Sequence, residues 1–532
     1  MSTQPLHPPT AAAARAPATL LWLQALGLAA LVGLLAIDNR SLWTDEIGTW
    51  ELTLPGSFTA WLTGFLRHYN SDGQIPLYHA WMWAWVHLFG EAEWVLRAAN
   101  LPWLALAAAG LLRACAEPRL RGCLWPALGA NAFIWYYLND ARPYILYLAG
   151  ASWFTAGMLN LGRLPHGPAL AADGSVRQAA DRALREALLG AVVLVGGSVL
   201  GSFWIASAAL ALVLFRRQAA WLMWQSALRQ WHWVLLAVLA AALLLGLAIH
   251  SHLSGARASQ WASFSLAGMG YGFIELLGAA GLGPSRNDLR QHLARADAVQ
   301  MVLMLAAACA TAAGVVLGLL QVRGARARWA LLLGAGLPLL VMVLLGLLLH
   351  WRVVGRHLSA VLPLIVLGHA LFLRRALDAA AAWPLRLLAL LMLAGMLASA
   401  LGVRWLPRHD KDDYRQAAQW AAQETAAGRS VVWLADERAL AYYGLAVPGI
   451  GYRDSTARTL IPFSRYPARA ADTPWPEVVI FSPREGVDPY RKARGLLDSG
   501  RYQITARATT FELHRLVPAS PARVPAPPGS PP

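Results

Sequence analysis

Three short stretches set ionisable groups beside long apolar runs. The first, SLWTDEIGTW (residues 41–50), follows the first apolar run and holds Asp45 and Glu46 between Trp43 and Trp50. Charges so close to a bilayer are costly unless they are paired or used. The second, NDARPY (139–144), carries Asp140, Arg142 and Tyr144 at the end of a run. The third, HWRVVGRHLSAVLP (350–363), carries Arg352, Arg356 and His357. A carboxylate takes a proton from a hydroxyl, and a guanidinium grips phosphate with parallel N–H···O bonds. A phosphate leaving group carried on a lipid would sit at this depth. Each stretch alone has a plainer explanation. Asp45-Glu46 would serve as a helix cap or solvated pair, Arg142 would pair with Asp140, and Arg352 and Arg356 would snorkel to headgroups. His250, His252, His350 and His357 fit interfacial positions better than metal ligation, and Glu275 in YGFIELLG reads as solvent-facing. The signal is the combination.

The elements that must hold these groups are membrane helices. The chain of 532 residues is 57% hydrophobic and only 14% charged, against about 25% charged in a soluble domain. Its net charge of +16 comes almost wholly from arginine, since Lys411 and Lys492 are the only lysines. Those arginines recur in small clusters between apolar runs rather than in one patch, which argues against a nucleic-acid partner. Eleven runs read as spans: 18–37, 94–114, 122–138, 143–161, 186–200, 203–215, 232–250, 298–322, 329–350, 357–373 and 384–402. The clusters Arg113/Arg119/Arg121, Arg216/Arg217, Arg323/Arg326/Arg328 and Arg374/Arg375 fall on one side, which should be cytoplasmic. The N-terminus is then inside and the three stretches outside. IPLYHAWMWAWVHLFG (75–90) is too short to span and rich in tryptophan, so we read it as a helix lying in the interface.

Outside the spans, residues 1–17 and 518–532 read as disordered, 162–185 as a polar cytoplasmic loop, and 38–93 and 251–297 as long extracytoplasmic loops. From 403 to 517 the composition shifts to a small α/β domain. It opens with a helix in KDDYRQAAQWAAQ and continues with strands in SVVWLA, PEVVIFS and RYQITARATTFELHRL. The expected architecture is a polytopic all-α membrane domain over 18–402 followed by this extracytoplasmic domain. Cys115, Cys123 and Cys309 show no metal-ligand spacing.

The pieces LWTDE, DGQIPLYHAWMWAWVHLFGEAEWVLRAANLP, NDARPYILYL and GRHLSAVLPLIVLGHAL, in this order, resemble the GT-C superfamily of membrane glycosyltransferases. The likeness is to its family 39 type, related to protein O-mannosyltransferases and to aminoarabinose transferases of lipid A. The resemblance covers about 18–402. It implies transfer of a monosaccharide (hexosyl, mannosyl or pentosyl) from a polyprenyl-phosphate donor to a lipid, protein or glycan hydroxyl at the extracytoplasmic face of a bacterial inner membrane, with inversion. On this reading Asp45 is the general base with Glu46 beside it. Arg142, Arg352 and Arg356 bind the donor phosphate, and Asp140, Tyr144, Asp72, Gln74 and Tyr78 contact substrate. Family members often have His-Pro-Pro or Lys-Pro-Pro before the interfacial helix, where this chain has Gln74-Ile75-Pro76. No D-x-D spacing marks the acidic pair, so a metal-independent reaction without cofactor is expected, a divalent ion being left open. Three other readings compete: a polysaccharide ligase or polymerase using a lipid-linked donor, a multi-span transporter, and a non-catalytic assembly protein that uses the 403–515 domain to bind a partner. A transporter would hold its charges mid-bilayer in two related halves, which the rim positions here do not match.

Overall fold

The computed structural model describes residues 17–67, 71–164, 174–253, 264–285, 289, 297–350, 353–445, 460–462, 475–482 and 495–517. Its helices begin with α1 (Ala18–Ala36), α2 (Thr44–Glu51), α3 (Phe58–Leu66), α4 (Pro76–Phe89), α5 (Glu93–Ala98), α6 (Leu101–Ala114), α7 (Pro118–Gly129), α8 (Ala132–Leu138) and α9 (Tyr144–Gly162). There follow α10 (Gly174–Gly197), α11 (Gly201–Phe215), α12 (Arg217–Arg229), α13 (Trp231–Leu253), α14 (Leu266–Leu276), α15 (Ala298–Leu319), α16 (Ala325–Leu349), α17 (Leu362–Ala376) and α18 (Trp383–Trp405). The last two are α19 (Tyr414–Ala426) and α20 (Arg438–Tyr442). Two compact units result: residues 1–39 with 52–409, and residues 40–51 with 410–532. Residues 40–51 thus group apart from the stretch 18–402 in which the sequence reading put them.

The first unit is a helical membrane domain. Seven of its described helical segments are each long and apolar enough to cross a bilayer, and α11 with α12 passes only as a pair bent by 120°. The eleven apolar runs lie mainly on helix, but only seven of the expected spans pass alone; run 94–114 is interrupted at Ala99–Asn100 and run 122–138 is broken between α7 and α8. There Asn131 caps the new helix by accepting from Phe133 N at 2.9 Å. Of the best-exposed spans, Trp231–His250 buries only 6% of its residues inside the chain, as a lipid-facing helix should. By contrast α9 and α10 pack backbone to backbone. A Cβ on Gly190 would stand 2.6 Å from Phe154 Cα, the small-residue crossing that membrane helices favour.

Two loop expectations need correction. Helix α10 starts at Gly174, inside the stretch read as a polar loop, because Val176, Ala180, Ala183 and Ala187 form a buried stripe that its charged face disguises. Residues 266–276, read as loop, form α14, started by Ser265 Oγ accepting from Gly268 N at 3.2 Å. The short helix after Gln74 is α4, with Pro76 in its first turn.

In the second unit, strands β1 (Val431–Leu434), β2 (Leu460–Pro462), β3 (Val478–Phe481), β4 (Tyr502–Arg507) and β5 (Glu512–Leu516) form one sheet in the order β2-β1-β3-β5-β4. β1 runs parallel to β2 and β3, and β5 antiparallel to β3 and β4. β1 and β3 are buried throughout, as their unbroken apolar sequence requires. Val432, Leu434, Val479 and Phe481 pack with Leu496. Tyr414, Trp433 and Phe511 stack in a separate aromatic cluster. The disordered stretches expected at 1–17 and 518–532 lie outside the described residues apart from Pro17.

Candidate functional site

In the membrane unit four of the polar groups named from the sequence, Asp72, Tyr78, Asp140 and Arg142, are linked by hydrogen bonds through Asn100. Asp72 sits on the 3-10 turn Ser71–Gln74, whose carbonyl at Asp72 accepts from Ile75 N at 2.9 Å as the chain enters α4. Its Oδ1 accepts from Arg142 Nη1 at 2.7 Å. Arg142 N in turn donates to the Asp140 carbonyl at 2.6 Å. That carbonyl also accepts from Asn100 Nδ2 at 2.6 Å, and Asn100 Oδ1 accepts from Tyr78 Oη at 3.3 Å. Tyr78 lies six residues after Asp72, in α4, so the chain of hydrogen bonds begins and ends on one short segment. Every member is buried. Arg142 therefore pairs with Asp72, 70 residues away, while its backbone N–H reaches the Asp140 carbonyl.

Charge follows from that geometry. Burial alone would raise the Asp72 pKa, but the Arg142 guanidinium and His79, whose Nε2 is 3.8 Å away, outweigh it. Asp72 is held well below the usual carboxylate range and stays ionised. A buried ion pair of this kind fixes geometry more than it adds stability.

Tyr144 opens α9 directly after Arg142 and Pro143. Its ring meets Tyr137 edge-on at 4.7 Å between centroids, and the Arg356 guanidinium lies 5.5 Å from its centroid, a cation–π distance. Arg356 belongs to the 3-10 helix Gly355–Val361. His357 Nδ1 accepts from Val354 N at 3.4 Å and Ser359 Oγ donates to the Arg356 carbonyl at 2.8 Å, which together fix this turn. Gly355 lets α14 approach: a Cβ there would stand 3.0 Å from Gly272 Cα and overlap the Glu275 carboxylate. Glu275 is 6% exposed, so it is a buried acid packed on the arginine turn and not the solvent-facing residue expected. Arg352 lies outside the described residues, and of Gln74 only the backbone is described.

Asp45 and Glu46 begin α2, in the second unit. Glu46 is fully buried. Its Oε1 lies 3.4 Å from Lys411 Nζ, and its Oε2 accepts from Trp43 N at 3.3 Å, so it caps the helix that Asp45 sits on. Asp45 is half-exposed; its carbonyl accepts from Thr49 Oγ1 at 3.1 Å. Thr44 Oγ1 and Tyr414 Oη are 2.9 Å apart, and Leu42 N donates to Tyr443 Oη at 3.0 Å. Trp50 meets Tyr442 edge-on at 5.0 Å. Carboxylate, lysine and tyrosines thus hold one short helix against the C-terminal domain.

Sequence reasoning missed several polar residues. Asp38, at the end of α1, pairs with Arg97 at 3.1 Å and with Arg404 at 3.2 Å, and its amide donates to Asn139 Oδ1 at 3.1 Å. Asn100 and Lys411 were also unmarked. For Asp38 the available signal was position, since it follows the first apolar run on the same expected side as NDARPY. Trp81 and Trp85, in the tryptophan-rich segment read as interfacial, donate their indole N–H to the Ala99 and Val95 carbonyls at 2.9 Å each, tying α4 to the start of the next span.

No family model and no curated protein matches the chain in sequence. Solved structures match it in fold. The apo crystal structure of ArnT from Cupriavidus metallidurans is 15% identical, with a TM-score of 0.53, over 93% of this chain and 98% of its own. The same protein bound to undecaprenyl phosphate gives 14% identity and a TM-score of 0.51, over 94% and 98%. The chain is thus an integral membrane protein, with seven described segments long and apolar enough to span, and it shares the fold of ArnT over almost its full length.

Proposed function

We propose that the protein transfers a monosaccharide from a polyprenyl-phosphate donor to an acceptor hydroxyl at the extracytoplasmic face of an inner membrane. The hydrogen-bonded chain Asp72–Arg142–Asp140–Asn100–Tyr78, with Tyr144 next after Arg142 and Pro143 and with Arg356 against the Tyr144 ring, carries this reading. It is a buried, preorganised polar set at the end of a span. The shared fold with a structure crystallised with undecaprenyl phosphate supports the donor class, as does the family 39 resemblance of the motifs.

In the reaction, Asp45 takes the proton of the acceptor hydroxyl. The acceptor oxygen bonds to the anomeric carbon while the bond from that carbon to the phosphate oxygen breaks. The electron pair stays on the departing polyprenyl phosphate, and the anomeric centre inverts. Arg356, with Arg352 and Arg142, stabilises the charge gained by the phosphate. Arg142 shares its charge with Asp72, so Arg356 carries more of this role. Glu46 acts as a positioning residue through Lys411. We propose that the step needs no metal and no cofactor.

Membranes containing wild type or Asp45→Asn, given a panel of radiolabelled polyprenyl-phosphate sugars, test the proposal. Label should move to lipid, protein or glycan with wild type and fall about 10²–10⁴-fold with Asp45→Asn, the range for a general base. Full activity in the variant removes Asp45 as base. No transfer by wild type from any donor removes the transferase reading itself.

A further inference from the structure

A second polar cavity lies at the opposite end of α9 from Tyr144, separated from it by the 19 residues of that helix, about 27 Å along its axis. It has a volume of about 310 Å³ and is lined by Arg113, Arg121, Arg163, Arg182, Asn160 and Glu186, with apolar residues between them. Four guanidiniums thus face one carboxylate. Glu186 is already engaged, accepting from Arg113 Nε at 3.0 Å, from Arg113 Nη2, and from Asn160 Nδ2 at 3.0 Å. The other three arginines have no carboxylate among the described residues. Arg121, 9% exposed, donates to the Cys115 and Ala116 carbonyls at 2.9 and 3.2 Å, and Arg163 donates to the Ala114 carbonyl. Arg182 makes no hydrogen bond or ion pair among the described residues. Arg121 is thus buried against neutral carbonyls, while Arg163 is exposed and Arg182 half-exposed; none of the three has a carboxylate counter-charge among the described residues. Three such guanidiniums around one hollow are suited to a phosphate.

Arg163 also lines a second cavity of about 410 Å³, whose other walls include Phe154, Trp204, Leu212, Leu331 and Leu364. Arg216 and Arg323 line it as well. One side chain therefore borders both a cationic hollow and a hydrocarbon-lined one. We propose that the pair of cavities binds a phosphate-bearing amphiphile, an acidic phospholipid, with its phosphate on Arg121, Arg163 and Arg182 and its chains in the apolar cavity. This site is separate from the proposed donor site and does not depend on the transferase reading.

Full-length, delipidated protein in detergent is titrated with dioctanoyl phosphatidic acid, dioctanoyl phosphatidylcholine or inorganic phosphate, following tryptophan fluorescence and the thermal unfolding midpoint. Phosphatidic acid should bind saturably and raise the midpoint, with phosphatidylcholine and inorganic phosphate weaker. Arg182→Gln removes a charge and breaks no bond among the described residues, and should weaken phosphatidic acid about tenfold, the lower end for a charged hydrogen bond. Ala330→Phe, which fills the apolar cavity, should weaken the lipid and leave the response to inorganic phosphate as in wild type. Equal affinity for inorganic phosphate and phosphatidic acid would overturn the amphiphile. Equal affinity of wild type and Arg182→Gln, with Ala330→Phe also unchanged, would overturn the site.

Discussion

Removing Arg142 alone should damage the protein more than removing Arg142 and Asp72 together. The two side chains are 6% and 7% exposed and their closest atoms are 2.7 Å apart. At an effective dielectric of about 20, that separation corresponds to an attraction of about 6 kcal/mol, set against a desolvation penalty of several kcal/mol for each ion. Arg142→Gln takes the guanidinium from the buried Asp72 carboxylate, and Asp72→Asn takes the carboxylate from the buried Arg142 guanidinium. Each should cost about 3–5 kcal/mol. The double variant Asp72→Asn/Arg142→Gln keeps two neutral groups of similar shape, able to hydrogen-bond, and should lie within about 1–2 kcal/mol of wild type. The assay is the unfolding midpoint in detergent for all four proteins, with transfer measured on the same preparations. Acid gives a second readout. The folded pKa of Asp72 is depressed from 3.8, so its ionisation stabilises the fold above that value and is lost as pH falls through the lower folded value. The pair should thus add no slope between pH 5 and 8, and the double variant should lose the acid step below about pH 4. Single variants as stable as wild type would refute the buried-pair argument. A double variant that recovers stability and full transfer would remove Arg142 from phosphate stabilisation.

Two further outcomes are expected. Gly355→Ala places a methyl against Gly272 and the Glu275 carboxylate, shifts the turn that carries Arg356, and should raise the KM for the polyprenyl donor more than for the acceptor; matched kinetics for both would show that this turn does not bind the donor. Lys411→Met leaves the fully buried Glu46 without its ammonium and should destabilise the second unit by about 3–5 kcal/mol, with Glu46→Gln/Lys411→Met recovering most of it; circular dichroism melts of wild type and the two variants decide.

The spans were legible because each is a long apolar run whose message is local. The strands Val431–Leu434 and Val478–Phe481 were legible for the same reason. Helix α10 was not, because its first three turns are amphipathic and their charged residues dominate composition; the stripe Val176–Ala180–Ala183–Ala187 shows only when the window follows a helical period. The types of the site residues could be read, yet their pairings could not. Asp72 and Arg142 are 70 residues apart, and Asp38 and Arg97 are 59 apart. No periodicity links such positions, and a nearer partner, Asp140, stood two residues from Arg142. The burial of Glu275 was hidden for a related reason, since only the glycines at 272 and 355 bring two distant segments close enough to cover it.

The grouping of residues 40–51 with 410–532 bears on how the protein is made. Thr44 and Tyr414, bonded in the finished fold, are 370 residues apart. At a synthesis rate of about 5–20 residues per second, α2 leaves the ribosome roughly 20–70 s before its partners exist. Through that interval Glu46 has no Lys411 and Trp50 has no Tyr442. The second unit cannot fold as the chain emerges, and it is completed only after the last span has been inserted. A shortened C-terminal piece expressed alone would lack the early helix altogether, so the order of biosynthesis makes this domain a check on the completeness of the chain.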